Sequence, residues 1–153
     1  MTLSRRIELV YLLLAVAGIV VSAFLSSFHF SGQAAEAFCT GAGGCGTVNE
    51  STYSAVLGIP IAFLGLVAYA AIAVLALLSM RDWQYSEWVP LAVFGTSLSG
   101  SLYSIYLTYL ELFVINAICP WCVASAAIMF ALLCVSLADL LRLRRGPIPS
   151  PVG

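Results

Sequence analysis

Four cysteines stand in two pairs, Cys39 with Cys45 and Cys119 with Cys122, and thiols so spaced can form, break and exchange disulfides. In Cys119-Pro120-Trp121-Cys122 the two sulfurs sit at i and i+3, on one face of a helix's first turn. Pro120 suits the first helical position, which makes Cys119 the N-cap. There the free N–H groups and the positive end of the helix dipole favour a thiolate. Between Cys39 and Cys45 run Thr40-Gly41-Ala42-Gly43-Gly44, a segment flexible enough to bring its own ends together or to let one sulfur swing toward another disulfide. A static staple is the alternative, and it gains little from so many glycines. The fifth cysteine, Cys134, falls roughly 18 Å further along the same helix as Cys122 and reads as packing. Four sulfurs could also hold zinc, but no histidine or carboxylate cluster accompanies them, and no metal is expected. His29, the one histidine, reads as an interfacial side chain, with a proton donor to a reduced acceptor as the other possibility.

The elements that must position these sulfurs are membrane helices. The chain has 153 residues, 62% of them hydrophobic and 8% charged. Its mean hydropathy is +1.06. A water-soluble domain could not hide that much apolar surface. Four runs reach the roughly 20 apolar residues that a span requires: about Ile7 to Ser27, Leu57 to Met80, Trp88 to Leu112 and Pro120 to Leu141. The first follows Arg5 and Arg6 as a signal peptide would, but it is long and no small-residue cleavage site ends it, so a retained helix is expected. The expected fold is an all-α membrane protein, a four-helix bundle forming one domain over 1–153, with 146–153 a disordered tail. Within the loop, Thr47 to Val56 could form a short helix along the membrane surface. Gly58-Ile59-Pro60 would open the second span, with Pro60 in its first turn.

Orientation follows from the arginines. There is no lysine, and all six basic residues (Arg5, Arg6, Arg81, Arg142, Arg144 and Arg145) fall on one side of a four-span topology. The positive-inside rule puts both termini in the cytoplasm and the Phe28–Val56 loop outside. Both cysteine pairs then share the outer face, where thiols are kept oxidised. Two dithiols at a lipid boundary suggest electron transfer between a water-side thiol partner and a lipid-side acceptor. The rival from another class is a non-enzymatic membrane scaffold whose disulfides only lock its outer loops. No nucleic-acid partner is expected.

With these residues in order, the chain resembles the vitamin K epoxide reductase family in its bacterial and archaeal branch. The resemblance rests on Cys39…Cys45, then Ser51, then Leu57-Gly58-Ile59-Pro60, then Cys119-Pro120-Trp121-Cys122 opening the last span. It covers nearly the whole chain. The functionally similar DsbB family carries its Cys-x-x-Cys early and its loop pair late, the reverse of the order here. The resemblance implies a bundle around a quinone pocket on the outer side. It also implies a relay, in which a thioredoxin-like partner reduces the loop disulfide through Cys39 and Cys45 attacks the Cys119–Cys122 disulfide at Cys119. Cys122 then passes electrons to a quinone co-substrate: menaquinone, ubiquinone or vitamin K. Ser51 matches the family's active-site loop serine, with helix capping or a plain exposed hydroxyl as the other reading.

The resemblance has departures. Four residues beyond Cys122, where animal members carry a tyrosine, stands Ala126, and Gly58-Ile59-Pro60-Ile61-Ala62 contains no asparagine. Epoxide reduction needs polar groups at the oxygen removed, so plain quinone reduction is favoured over vitamin K epoxide reduction. Some members carry a fused thioredoxin-like domain. This chain stops soon after its fourth span, so a separate DsbA-like periplasmic partner and a prokaryotic inner membrane are expected. Candidates for the quinone pocket are Phe38, Tyr53, Phe63, Tyr103, Tyr106, Phe113 and Trp121. Tyrosine and tryptophan also gather at membrane interfaces for purely physical reasons.

Overall fold

The computed structural model describes residues 3–31, 55–56, 59–81, 88–116 and 118–145. Among them are four long helices: α1 (Leu3–Ser31), α2 (Ile61–Arg81), α3 (Val89–Leu110) and α4 (Pro120–Arg145). Two short strands, β1 (Ala55–Val56) and β2 (Ile59–Pro60), pair antiparallel just ahead of α2. A π-helical turn, Glu111–Ile115, continues α3.

Three of the helices are long and apolar enough to cross a membrane: Arg5–Ser27 within α1, α2, and α4. Their outward faces carry Leu13, Val20, Val67, Val74, Phe130 and Leu137, all exposed, as lipid rather than water would require. The third helix is equally long at 22 residues, about 33 Å, and contains no charged residue. It is richer in serine, threonine, glycine and tyrosine. Its hydroxyls turn back on their own helix: Thr96, Ser97, Ser99 and Thr108 donate to the carbonyls of Ala92, Val93, Gly95 and Ser104 at 2.9, 2.6, 3.0 and 2.9 Å. Such bonding satisfies the hydroxyl without a partner helix.

The helices form an antiparallel bundle. The first packs on the second and the fourth, the fourth on the third, and the second more lightly on the third. The main core joins Tyr11 and Ala15 of α1, Tyr69, Ile72 and Ala76 of α2, Val89 and Val93 of α3, and Met129 and Leu132 of α4. Tyr69 is its central piece. The ring lies directly against the backbone at Gly18, where any side chain would collide with it. Its hydroxyl reaches α4, donating to the Ser125 carbonyl at 2.9 Å, with Ser125 Oγ at 3.1 Å.

Two further polar ties bind the end of the bundle where the chain starts. The Ser79 hydroxyl donates to Glu8 at 2.7 Å, and the Tyr11 hydroxyl to Asp139 at 3.3 Å. These contacts bring the beginning of α1 beside the ends of α2 and α4. All six arginines of the chain therefore belong to the same end of the bundle. Hydrogen bonds between membrane helices contribute about 0.6 kcal/mol each, so these ties define register more than they add stability.

Two expectations for the segment between the first and second helices need correction. Ala55 and Val56 are strand residues paired with Pro60 and Ile59, not the end of a surface helix. The second helix begins at Ile61, after Pro60 rather than around it. The cause is local: a proline holds the residue before it in extended conformation, so Ile59 favours the strand and the helix waits one residue past the ring. The rest of the loop, including residues 47–54, and the tail 146–153 lie outside the described residues.

Candidate functional site

The fourth helix starts at Pro120, as the ring's fixed φ favours. Cys119 stands just before it, and its carbonyl accepts the first helical bond, from Val123 N–H at 3.1 Å. Its sulfur is turned to the open N-terminus, where the Cys122 N–H approaches Sγ at 3.4 Å. Both thiols therefore belong to a single helical turn. Cys119 is 1% exposed and Cys122 half-buried.

Electrostatics makes the two sulfurs unequal. The Cys122 thiol hydrogen-bonds to Cys119 and holds its thiol below the usual thiol range. The backbone N–H groups of Cys122 and Trp121 act the same way, whereas burial and the charge of Glu111 oppose it. Cys119 is thus the sulfur of the pair prepared to carry negative charge, as expected of an N-cap cysteine.

The wall around Cys119 is apolar and aromatic. Val21, Phe24 and Leu25 of α1 cover it, with Ala62 of α2 and with Trp121, Cys122 and Ile128 of α4. Phe24 and Trp121 meet with ring centroids 4.8 Å apart. On the first helix the Ser26 hydroxyl is buried and has no hydrogen-bond partner among the described residues. Apolar walls with an aromatic face suit a hydrophobic surface more than a charged one.

The structure distributes the pocket candidates unevenly. Trp121 belongs to the wall around Cys119. Phe63, in the first turn of α2, is half exposed. Tyr103 and Tyr106 stack on each other along α3 at 6.0 Å, and Phe113 stacks on Tyr109 at 4.8 Å. Tyr106 and Phe113 face outward, at 49% and 69% exposure. Cys39, Cys45, Ser51, Phe38 and Tyr53 lie outside the described residues, and so do the side chains of His29 and its neighbours. Cys134 is exposed on α4, well along the helix from the pair. Among the described residues, no cluster of three or more histidine, cysteine or acidic side chains could hold a metal.

One residue at the site escaped the reading of the sequence. Glu111, the first residue of the π turn, is 3% exposed, and its carboxylate accepts the Cys119 N–H at 3.4 Å. The signal was present: it is the lone acid in the apolar run from Trp88 to Leu112, and an ionisable side chain at membrane depth is a functional candidate by default. The π turn ends on Asn116 in the left-handed conformation, φ 52°, which turns the chain back toward Cys119.

Residues 9–137 match the family described as the vitamin K epoxide reductase family. The chain is also similar to "Thiol-disulfide oxidoreductase LTO1" of Arabidopsis thaliana, 28% identical over 131 residues, a match covering 78% of this chain and 33% of that relative. The chain thus spans about a third of that relative's length. The family match runs from the first helix through most of the fourth and so touches each of the four long helices among the described residues, and the chain is an integral membrane protein that belongs to the vitamin K epoxide reductase family.

Proposed function

We propose that this protein is a quinone-dependent thiol oxidoreductase that drives disulfide formation outside the cytoplasm. The observation that carries the reading is the Cys119–Cys122 turn, with one buried sulfur biased toward thiolate and an apolar, aromatic wall around it. Membership of the family and the similarity to a named thiol-disulfide oxidoreductase support the same chemistry.

Two disulfide exchanges and one oxidation complete the cycle. A reduced thioredoxin-like partner opens the Cys39–Cys45 disulfide through Cys39 and leaves as a disulfide. Cys45 attacks Cys119, Cys122 departs as a thiol, and Cys39 closes on Cys45 again to leave the Cys119–Cys122 dithiol. That dithiol gives two electrons and two protons to the quinone, forming hydroquinone and restoring its own disulfide. Ser51 is assigned beside the loop pair. The topology has four spans, with the arginine-bearing end and both termini in the cytoplasm and the cysteines outside, in a prokaryotic inner membrane. The partner is a periplasmic DsbA-like protein.

Vitamin K epoxide reduction is the less favoured chemistry. Ala126, half-buried one turn beyond Cys122, brings no hydroxyl to an epoxide oxygen. The test is quinone reduction by a reduced thioredoxin-like protein, followed at the quinone's absorbance with the protein in nanodiscs. The Cys122→Ala variant should lose quinone reduction entirely, and turnover at the wild-type rate in that variant would sink the assignment.

A further inference from the structure

Glu111 is a carboxylic acid buried beside a buried thiol, and nothing in the relay uses it. Its carboxylate lies 3.4 Å from the Cys119 nitrogen and is 3% exposed. It is held there by two backbone features: the π turn that it opens and the left-handed Asn116 that closes that turn. The other titratable groups near it are few. The fourth helix contributes Cys119 and Cys122. Its own helix brings Tyr103, Tyr106 and Tyr109, and Tyr106 and Tyr109 are exposed. The outward half of the first helix carries His29, whose side chain lies outside the described residues; apart from it, residues 19–27 and 61–69 bring no acid or base except the Tyr69 phenol, which is committed to Ser125. None of the six arginines is placed at this end to neutralise a carboxylate, and the chain has no lysine.

Two negative charges cannot both be accommodated in so small an apolar site. In other buried pairs of acids the outcome is a single proton shared between them. We propose that Glu111 and Cys119 form such a pair, in which Glu111 carries a proton whenever Cys119 is a thiolate and is ionised when Cys119 is a thiol. Glu111 touches the Cys119 backbone and acts on its sulfur through charge, so it is a positioning residue. Resting on the thiol oxidoreductase reading, the pair has a definite place in the balance of the last step. Oxidation of the dithiol breaks two S–H bonds, forms one S–S bond and sends two electrons to the quinone. The Cys122 proton and the Cys119 proton, the latter held meanwhile by Glu111, complete the two O–H bonds of the hydroquinone. The charge of Glu111 already acts against thiolate formation at Cys119, as this exchange requires.

The experiment is the pH dependence of Cys119 alkylation by iodoacetamide, read peptide by peptide by mass spectrometry on the full chain, reduced and in nanodiscs. It needs neither quinone nor partner. Wild type should show a two-step profile, because removing the second proton works against the first charge. In Glu111→Gln the profile should become a single step with its midpoint lowered by about one pH unit, which is about tenfold faster alkylation below both midpoints. Quinone reduction should fall in the same variant. Superimposable alkylation profiles in wild type and a folded Glu111→Gln would overturn the proposal. Should the Gln variant fail to fold, Glu111→Asp carries the test, with a displaced midpoint expected and an unchanged one overturning the pair. A shifted profile together with a wild type unable to reduce any quinone would separate the two ideas, keeping the pair and removing the oxidase.

Discussion

Cys119 and Cys122 differ in chemistry although they share one helical turn. The hydrogen bond from the Cys122 thiol is the largest influence lowering the Cys119 thiol, ahead of the helix N–H groups. Removing it should therefore raise the pH at which Cys119 becomes a thiolate. In Cys122→Ala, alkylation of Cys119 at neutral pH is expected to slow severalfold. An unchanged rate would mean that the backbone N–H groups alone set its reactivity. This residue-scale asymmetry was legible in part. Pro120 after a cysteine marks the first helical position, so the N-cap and the direction of its effect follow from the order of residues. Glu111 was not legible as a partner, because its distance from Cys119 depends on the π turn and on the left-handed Asn116. Neither leaves a periodic signature in the sequence.

At the scale of elements, hydrophobic runs locate the helices well because lipid imposes both their length and their composition. The observed α2 and α4 run over Ile61–Arg81 and Pro120–Arg145, each within a few residues of the expected span, and the later start of α2 traces to Pro60. Helix neighbours are another matter. In a bilayer the apolar faces look alike to lipid and to protein, and small contact residues decide the approach. Gly18 is one such residue, with the Tyr69 ring against its backbone. Gly18→Ala should force α1 from α2 or displace the ring, costing about 1–3 kcal/mol as overpacking does. The check is a lower midpoint in SDS or thermal unfolding of the detergent-solubilised protein. Gly100 makes a contrast within one molecule: its nearest neighbours are the end atoms of the flexible Met129 side chain, which can move aside.

For the whole molecule, the polar ties Ser79–Glu8 and Tyr11–Asp139 gather every arginine at one end and leave the cysteine turn at the other. The expected orientation can be tested with a cysteine placed among the arginines. Ser4→Cys in otherwise intact cells should resist a membrane-impermeant maleimide until the membrane is opened. Labelling of that position in intact cells would invert the topology and put the redox pair on the reducing side. The expected orientation rests on the arginines alone, because the chain has no lysine and no arginine elsewhere.

The π turn has a consequence for the spacing between the third helix and the Cys-x-x-Cys. Such a turn holds one residue more than the α-helix would need. Winding the same five residues, Glu111–Ile115, as ordinary helix at about 100° per residue instead of the wider step of the π turn would rotate everything after them relative to what precedes them. The Glu111 carboxylate and the Cys119 nitrogen would then point to different sides. The width of that turn therefore acts as a phase setting between the carboxylate and the thiol.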